Sequence, residues 1–248
     1  MIEEHNMKIL GIDTSNQTMS VALVEDGKLR AERIVNVKRN HSIQLMPAIE
    51  ALFKEVNWKP NELDRVVTAK GPGSYTGVRI GVTIAKTLAF TLGIDLVGVS
   101  SLKVLAANGE RIPGSYIVPV FNARRGNIYT GLYQYRENVL IQVEEDTHTS
   151  AEQWVHQLKE LNAPIQVVGE DKEIVEDLFK EVLRDNLLML SSSRDYPRAS
   201  ALAEIGEKQN AEDSHLFEPE YIKLAEAEEK WVEANPDKRE GGGWIEKL

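Results

Sequence analysis

Cysteine is absent from the 248 residues. Its absence excludes disulfides, thiolate metal sites and a cysteine nucleophile, and it fits a reducing compartment. Aromatic residues make up only 6% of the chain, and positive charge is in the minority: 29 Lys+Arg stand against 39 Asp+Glu, a formal charge of −10. A chain so balanced is a poor stand-alone binder of nucleic acid, because phosphate contacts need clustered Lys and Arg. No uncharged apolar run approaches the roughly 20 residues of a membrane helix. The amino terminus, Met1-Ile2-Glu3-Glu4-His5-Asn6, is acidic where a secretory leader is basic and then apolar. The expectation is a cytoplasmic chain with no membrane partner.

What is present suffices for a packed core. The apolar content is 42%, and the length suits one large domain or two of about 100–150 residues. Strand-like runs at Lys8–Asp13, Met19–Val24 and Leu29–Val37 open the chain, with the hairpin signal Asp26-Gly27 between the last two. Ile43, Met46, Ile49, Leu52, Phe53 and Val56 then recur at helical spacing around Pro47. A strand over Asp64–Lys70, a helix over Tyr75–Leu92, a strand over Asp95–Val99 and a helix over Ser100–Asn108 follow.

The second half repeats this succession. Strands are expected at Tyr116–Phe121, Ile128–Tyr135 and Val139–Val143, then a helix at Ala151–Leu161 and a strand at Ile165–Gly169. A helix at Lys172–Leu183, a strand at Leu187–Leu190 and a helix at Ser200–Gln209 complete it. Three meandering strands followed by alternating helix and strand predict a mixed sheet, so the fold class is α/β with two tandem domains of the actin, sugar-kinase and Hsp70 type (ASKHA). The expected division is 1–110, 111–222 with its last helix free to pack back on the first domain, and 223–248 as a charged helix and flexible tail.

The most informative stretch is Lys70-Gly71-Pro72-Gly73-Ser74-Tyr75-Thr76-Gly77-Val78-Arg79-Ile80-Gly81. A glycine turn that launches a helix attracts anions, yet the spacing fits neither an ATP-type phosphate loop nor a dinucleotide fingerprint. A capped tight turn is the simpler reading. In the helix, Gly73, Gly77, Gly81, Ala85 and Ala89 fall every fourth residue, while Ile80, Ile84 and Leu88 mark another side. The small stripe serves either a helix sandwiched in its own domain or an interface that another backbone approaches closely. The second is preferred, and it implies that Gly81→Leu breaks pairing and spares the fold.

Catalytic chemistry is hard to find. Asp13 ends the first strand, and Asp13, Thr14, Ser15 and Arg124 are the candidates for contact with an anion or nucleotide. An Asx turn at Asp13 and a solubilising role for the arginines are the bland alternatives. The five histidines show no metal-ligand spacing, and Ser74 lacks a nucleophile elbow. No catalytic residue and no metal ligand is assigned.

The glycine-turn motif, with Ile9-Leu10-Gly11-Ile12-Asp13-Thr14-Ser15, Asn122-Ala123-Arg124-Arg125-Gly126-Asn127-Ile128-Tyr129 and Pro219-Glu220-Tyr221-Ile222, resembles the TsaB (YeaZ) family from about Met7 to Trp231. The resemblance implies a subunit of the bacterial machinery that places threonylcarbamoyl on adenosine 37 of tRNAs reading ANN codons. It further implies that the paralogue TsaD performs the transfer, that TsaB pairs with TsaD through its first domain, and that the small ATPase TsaE docks on the pair. It implies a homodimer when alone, tRNA reached only through the complex, no cofactor of its own, and room for a nucleotide at the partner junction. The two TsaD metal histidines align with Ser101 and Leu105, and the family's acidic residue before Ala-Arg is Asn122 here. The expected partner surface is Ile43, Met46, Ile49, Gly73, Tyr75, Gly77, Val78, Gly81, Ala85 and Ala89. The alternative function is an ASKHA-type phosphotransferase or ATPase that uses Asp13 and the glycine turn.

Overall fold

The computed structural model describes residues 6–37 and 40–222. The charged helix and tail expected over 223–248 lie outside the described residues.

The chain begins with β1 (Lys8–Asp13), β2 (Met19–Glu25) and β3 (Lys28–Val35). Asp26 and Gly27 both take positive φ, 50° and 69°, the geometry a two-residue hairpin turn demands. Helix α1 (His41–Val56) is capped by Asn40, whose side chain accepts the Ser42 N–H, and Pro47 sits inside it without ending it. Strand β4 (Arg65–Gly71) leads through the glycine turn to α2 (Tyr75–Leu92), which starts at the Ser74 cap and stops at Gly93 with φ 67°. Strand β5 (Asp95–Ser100) and the short α3 (Ser101–Ala106) close this part. The sheet order is β3-β2-β1-β4-β5, antiparallel among the first three strands and parallel from β1 onward.

The second sheet is built from β6 (Tyr116–Pro119), β7 (Phe121–Arg124), β8 (Asn127–Arg136), β9 (Val139–Ser150), β10 (Ile165–Val168) and β11 (Leu187–Met189), with α4 (Ala151–Glu160) and α5 (Glu173–Leu183) between them. The single strand expected over Tyr116–Phe121 is broken at Val120, whose N–H turns to the Val168 carbonyl at 2.9 Å. Its two pieces lie end to end along β8: Ile117 pairs Tyr133 and Phe121 pairs Tyr129. Strand β9 flanks β8 on the other side and extends to Ser150, well past the expected Val143. With β6 and β7 counted as one, β9-β8-β6/β7-β10-β11 repeats the order of the first sheet.

Helix α6 (Ala199–Glu207) follows the second sheet in the chain but packs on the first. Ala199, Leu202 and Ala203 lie in one cluster with Ile9, Ala22, Val67, Val97 and Val99. The opposite face of that sheet carries α1 and α2, with Leu10, Ile12, Leu23 and Val66 beneath Leu45, Leu52, Val78 and Val82. In the second sheet, α4 and α5 bury Trp154, Val155 and Phe179 against Val118, Leu132 and Val167. The other face receives Leu102 and Leu105 of α3 beside Ile117, Phe121 and Tyr133.

Polar bonds add to this link. Thr18 donates to Glu170 from its hydroxyl at 3.0 Å, and the Ser100 hydroxyl donates to Asp146, which also accepts from Tyr133 and Gln142. Burial raises the pKa of both carboxyls above the usual range, and burial likewise raises that of the Tyr133 phenol.

After α6 the chain runs back along the first sheet. The Glu212 N–H donates to the Leu96 carbonyl at 2.8 Å and the Glu220 N–H to the Lys70 carbonyl at 2.7 Å, and Phe217 is buried in the α1/α2 core.

Candidate partner interface

The small-residue stripe of α2 faces inward. A Cβ on Gly77 would stand 2.2 Å from the Thr14 carbonyl oxygen, one on Gly73 2.2 Å from that of Ser15, and one on Gly81 2.5 Å from the Thr14 hydroxyl. Ala85 and Ala89 are buried in the same core. The backbone that approaches this helix closely is therefore the chain's own, where β1 ends. Gly77, Val78, Gly81, Ala85 and Ala89 cannot meet a partner, nor can Ile49, which is buried under α1, and Gly73 is only half-exposed. That part of the expected surface is corrected. So is the expectation that Gly81→Leu would spare the fold.

Three of the expected residues do lie outside. Ile43 is 71% exposed, Tyr75 58% and Met46 44%. Between them Ile80, Ile84 and Leu88 of α2 are only half-buried, so the outer flank of α2 and the exposed flank of α1 form one apolar face. Two hollows indent it. One, about 470 Å³, is lined by Ser42, Tyr75, Arg79, Ile80, Thr83 and Ile84. The other, about 550 Å³, lies between the helices further on, with Met46, Phe53, Trp58, Leu88 and Leu92 on its walls.

Arg79 sits at the rim. Its Nη1 donates to the Tyr75 hydroxyl at 2.7 Å, and the Tyr75 ring stacks on Tyr221 with centroids 5.1 Å apart. The two phenols hold the guanidinium pKa even higher than usual. Arg79 and Lys86 also line a groove of about 570 Å³ between α2 and the returning segment, where Phe90 is 62% exposed. Neither Phe90 nor Tyr221, although Tyr221 belongs to a motif of the resemblance, is on the expected partner surface. Phe90 lies outside the apolar spacing of its helix, and Tyr221 reaches the face only because the chain returns.

The candidate anion contacts are not assembled. Asp13 is buried, and its Oδ1 accepts from the Ser15 N–H at 2.9 Å and the Ser15 hydroxyl at 2.7 Å, the Asx turn. Its Oδ2 has no hydrogen-bond partner among the described residues. Burial raises the carboxyl pKa, opposed by the Ser15 hydrogen bonds and the nearby His41. Thr14 donates to the Gly77 carbonyl at 2.7 Å and Ser15 is buried, so both are spent on internal structure, as is one of the two Asp13 oxygens. Arg124 stands elsewhere, on a hollow of about 420 Å³ at the β7–β8 turn, and its N–H is held by Asn122 Oδ1 at 2.8 Å. Of the two positions that the family resemblance sets against metal histidines, the Ser101 hydroxyl accepts the Gly71 N–H at 3.2 Å and Leu105 is core. Among the described residues, no group of three or more His, Asp or Glu is placed to hold a metal ion.

Two successive mixed sheets of order 3-2-1-4-5, each with helices on both faces, define an ASKHA-class α/β protein. The chain belongs to the TsaB family. It is 45% identical over 228 residues to the Bacillus subtilis tRNA threonylcarbamoyladenosine biosynthesis protein TsaB, covering 92% of this chain and 99% of that one. It is 32% identical over 194 residues to the Escherichia coli TsaB, covering 76% and 84%. A family model described as TsaD, tRNA N6-adenosine threonylcarbamoyltransferase, matches residues 31–231. Two Pseudomonas aeruginosa structures share the fold. One, described as similar to peptidase YeaZ, has a TM-score of 0.76 at 24% identity, covering 88% of this chain and 100% of that one. The other, YeaZ, has a TM-score of 0.73 at 24% identity, covering 87% and 99%. Among the described residues no helix is long and apolar enough to cross a membrane.

Proposed function

We propose that this chain is a non-catalytic subunit in the synthesis of threonylcarbamoyladenosine on tRNA. It pairs through the α1/α2 face with a TsaD-type transferase, and a TsaE-type ATPase joins the pair. The observation that carries this reading is the apolar face itself. Ile43, Met46 and Tyr75 are exposed beside half-buried Ile80, Ile84 and Leu88, around two hollows. Grouped apolar side chains at a surface mark a protein–protein contact better than single ones do. The burial of Asp13, Thr14 and Ser15, with Thr14, Ser15 and one Asp13 oxygen engaged in internal bonds, supports a role in assembly over phosphoryl transfer.

The test is gel filtration and calorimetry with a TsaD homologue. The expected outcome is co-elution, with Ile43→Glu plus Met46→Glu weakening it at least about 30-fold, since charge buried in an apolar contact costs about 2 kcal/mol or more. Unchanged binding by that double variant would overturn the assignment of the face. Threonylcarbamoyl transfer to tRNA by the isolated chain would overturn the non-catalytic role.

A further inference from the structure

The returning segment runs back along α2, from Lys86, which holds the carbonyls of His215 and Phe217, to Tyr221, which stacks on Tyr75. Between helix and segment lies the groove of about 570 Å³. Arg79, Thr83, Lys86, Thr87 and Phe90 line it along one stripe of α2. From Arg79 to Phe90 that stripe is about 16 Å long at helical rise. Buried Val82 and Phe217 make its floor apolar. At the far end the exposed Phe90 ring meets His215 edge-on, with centroids 5.0 Å apart.

Two cations stand on this groove, Arg79 and Lys86, about 10 Å apart along the helix. Neither forms an ion pair among the described residues. Each is held in place with N–H groups left over. The Arg79 guanidinium has five and meets the phenols of Tyr75 and Tyr221. The Lys86 ammonium has three and gives two to the carbonyls of His215 and Phe217. Glu218 is the one carboxylate among the lining residues, so the groove is locally positive on a chain of formal charge −10. Fixed cations with spare donors on either side of an apolar floor complement an acidic ligand with apolar side chains between its carboxylates.

We infer that this groove receives an acidic amphipathic helix of a partner protein. Two of its carboxylates, seven positions apart, meet Arg79 and Lys86, and the apolar side chains between them rest on Val82 and Phe217. The spacing matches because a helix laid along α2 rises at the same rate as α2 itself. The groove lies on a different flank of α2 from the face proposed for TsaD and adjoins it at Arg79. Its test needs no TsaD homologue, so either reading can fail without the other.

The probe is an alanine-based peptide with glutamates seven positions apart and leucines one turn to either side of each. It is titrated into the full chain at low salt and followed by calorimetry. The expected result is saturable one-to-one binding, weakened at least about fivefold when glutamines replace both glutamates. Thr87 is exposed on α2 beside Lys86, and Glu and Lys both suit a helix surface. Thr87→Glu is expected to weaken binding about threefold and Thr87→Lys to strengthen it about threefold. A purely structural role for this stripe would not reverse with the sign of the charge. Phe90→Ala, at another exposed position, is expected to weaken binding about fivefold by removing the apolar end of the groove. Absence of saturable binding would overturn the inference. So would equal affinity for the glutamine peptide, or a change in the same direction for both Thr87 variants.

Discussion

Asp13 lies wholly buried at the end of β1, with one carboxylate oxygen held by Ser15 and the other unmatched among the described residues. Burial favours the neutral acid, so the folded-state pKa lies above the unfolded one. A group shifted in that direction contributes stability that is fully present below the unfolded pKa and is lost as pH rises through the folded pKa. Asp13→Asn keeps an acceptor for the Ser15 N–H and removes the charge. It should raise the melting temperature at pH 8, with the gain shrinking toward pH 4. A gain of equal size at both pH values would contradict this account. Arg79 illustrates the reverse situation: it is exposed, it has two phenol neighbours, and its charge is available to whatever covers α2.

Helix α2 has two very different sides. Its small residues settle against the end of β1, and its larger Ile80, Ile84 and Leu88 are left half outside. Glycine costs a helix interior about 1 kcal/mol relative to alanine, so on an exposed helix Gly77→Ala would be a gain. Here the added methyl would lie 2.2 Å from the Thr14 carbonyl oxygen, a distance that requires the helix to move. Gly77→Ala should therefore destabilise the protein by about 1–3 kcal/mol, the usual cost of overfilling a packed site. Urea unfolding measures it against Thr83→Ala, which alters an exposed position of the same helix. An unchanged midpoint for Gly77→Ala would mean that the helix is not seated on β1.

At the scale of the whole molecule, segments that come late in the chain complete the first sheet. Helix α6 covers one face, and the returning segment lays Phe217 into the core of the other. A Cβ on Gly98 would lie 2.6 Å from the Phe217 ring, so strand and ring are fitted to each other. Lys86 fastens the segment by donating to the carbonyls of His215 at 2.9 Å and Phe217 at 3.1 Å. Removing the ring should loosen all of this at once. Phe217→Ala is expected to cost about 3–5 kcal/mol, visible as an earlier urea midpoint. It should also speed amide exchange at Glu212 and Glu220, whose N–H groups bond to β5 and β4.

Local pattern determined the succession of elements. Short apolar runs marked the strands, the 3.6-residue period marked α1 and α2, and Asp26-Gly27 and the glycine turn marked a hairpin and a capped turn. These features depend on neighbours a few residues away, so the chain displays them directly. The motifs that carry the TsaB resemblance were legible for the same reason. The small-residue stripe was legible too, but only as a demand for close approach. Which backbone makes that approach depends on Thr14 and Ser15, some 60 residues away in sequence. The break at Val120, the long β9, the placement of α6 and the arrival of Tyr221 at Tyr75 were likewise decided by long-range packing. Burial is a property of the assembled core, where a side chain's surroundings come from distant strands, and tertiary structure alone assigned one side of α2 to the interior and left the other as a half-exposed apolar face.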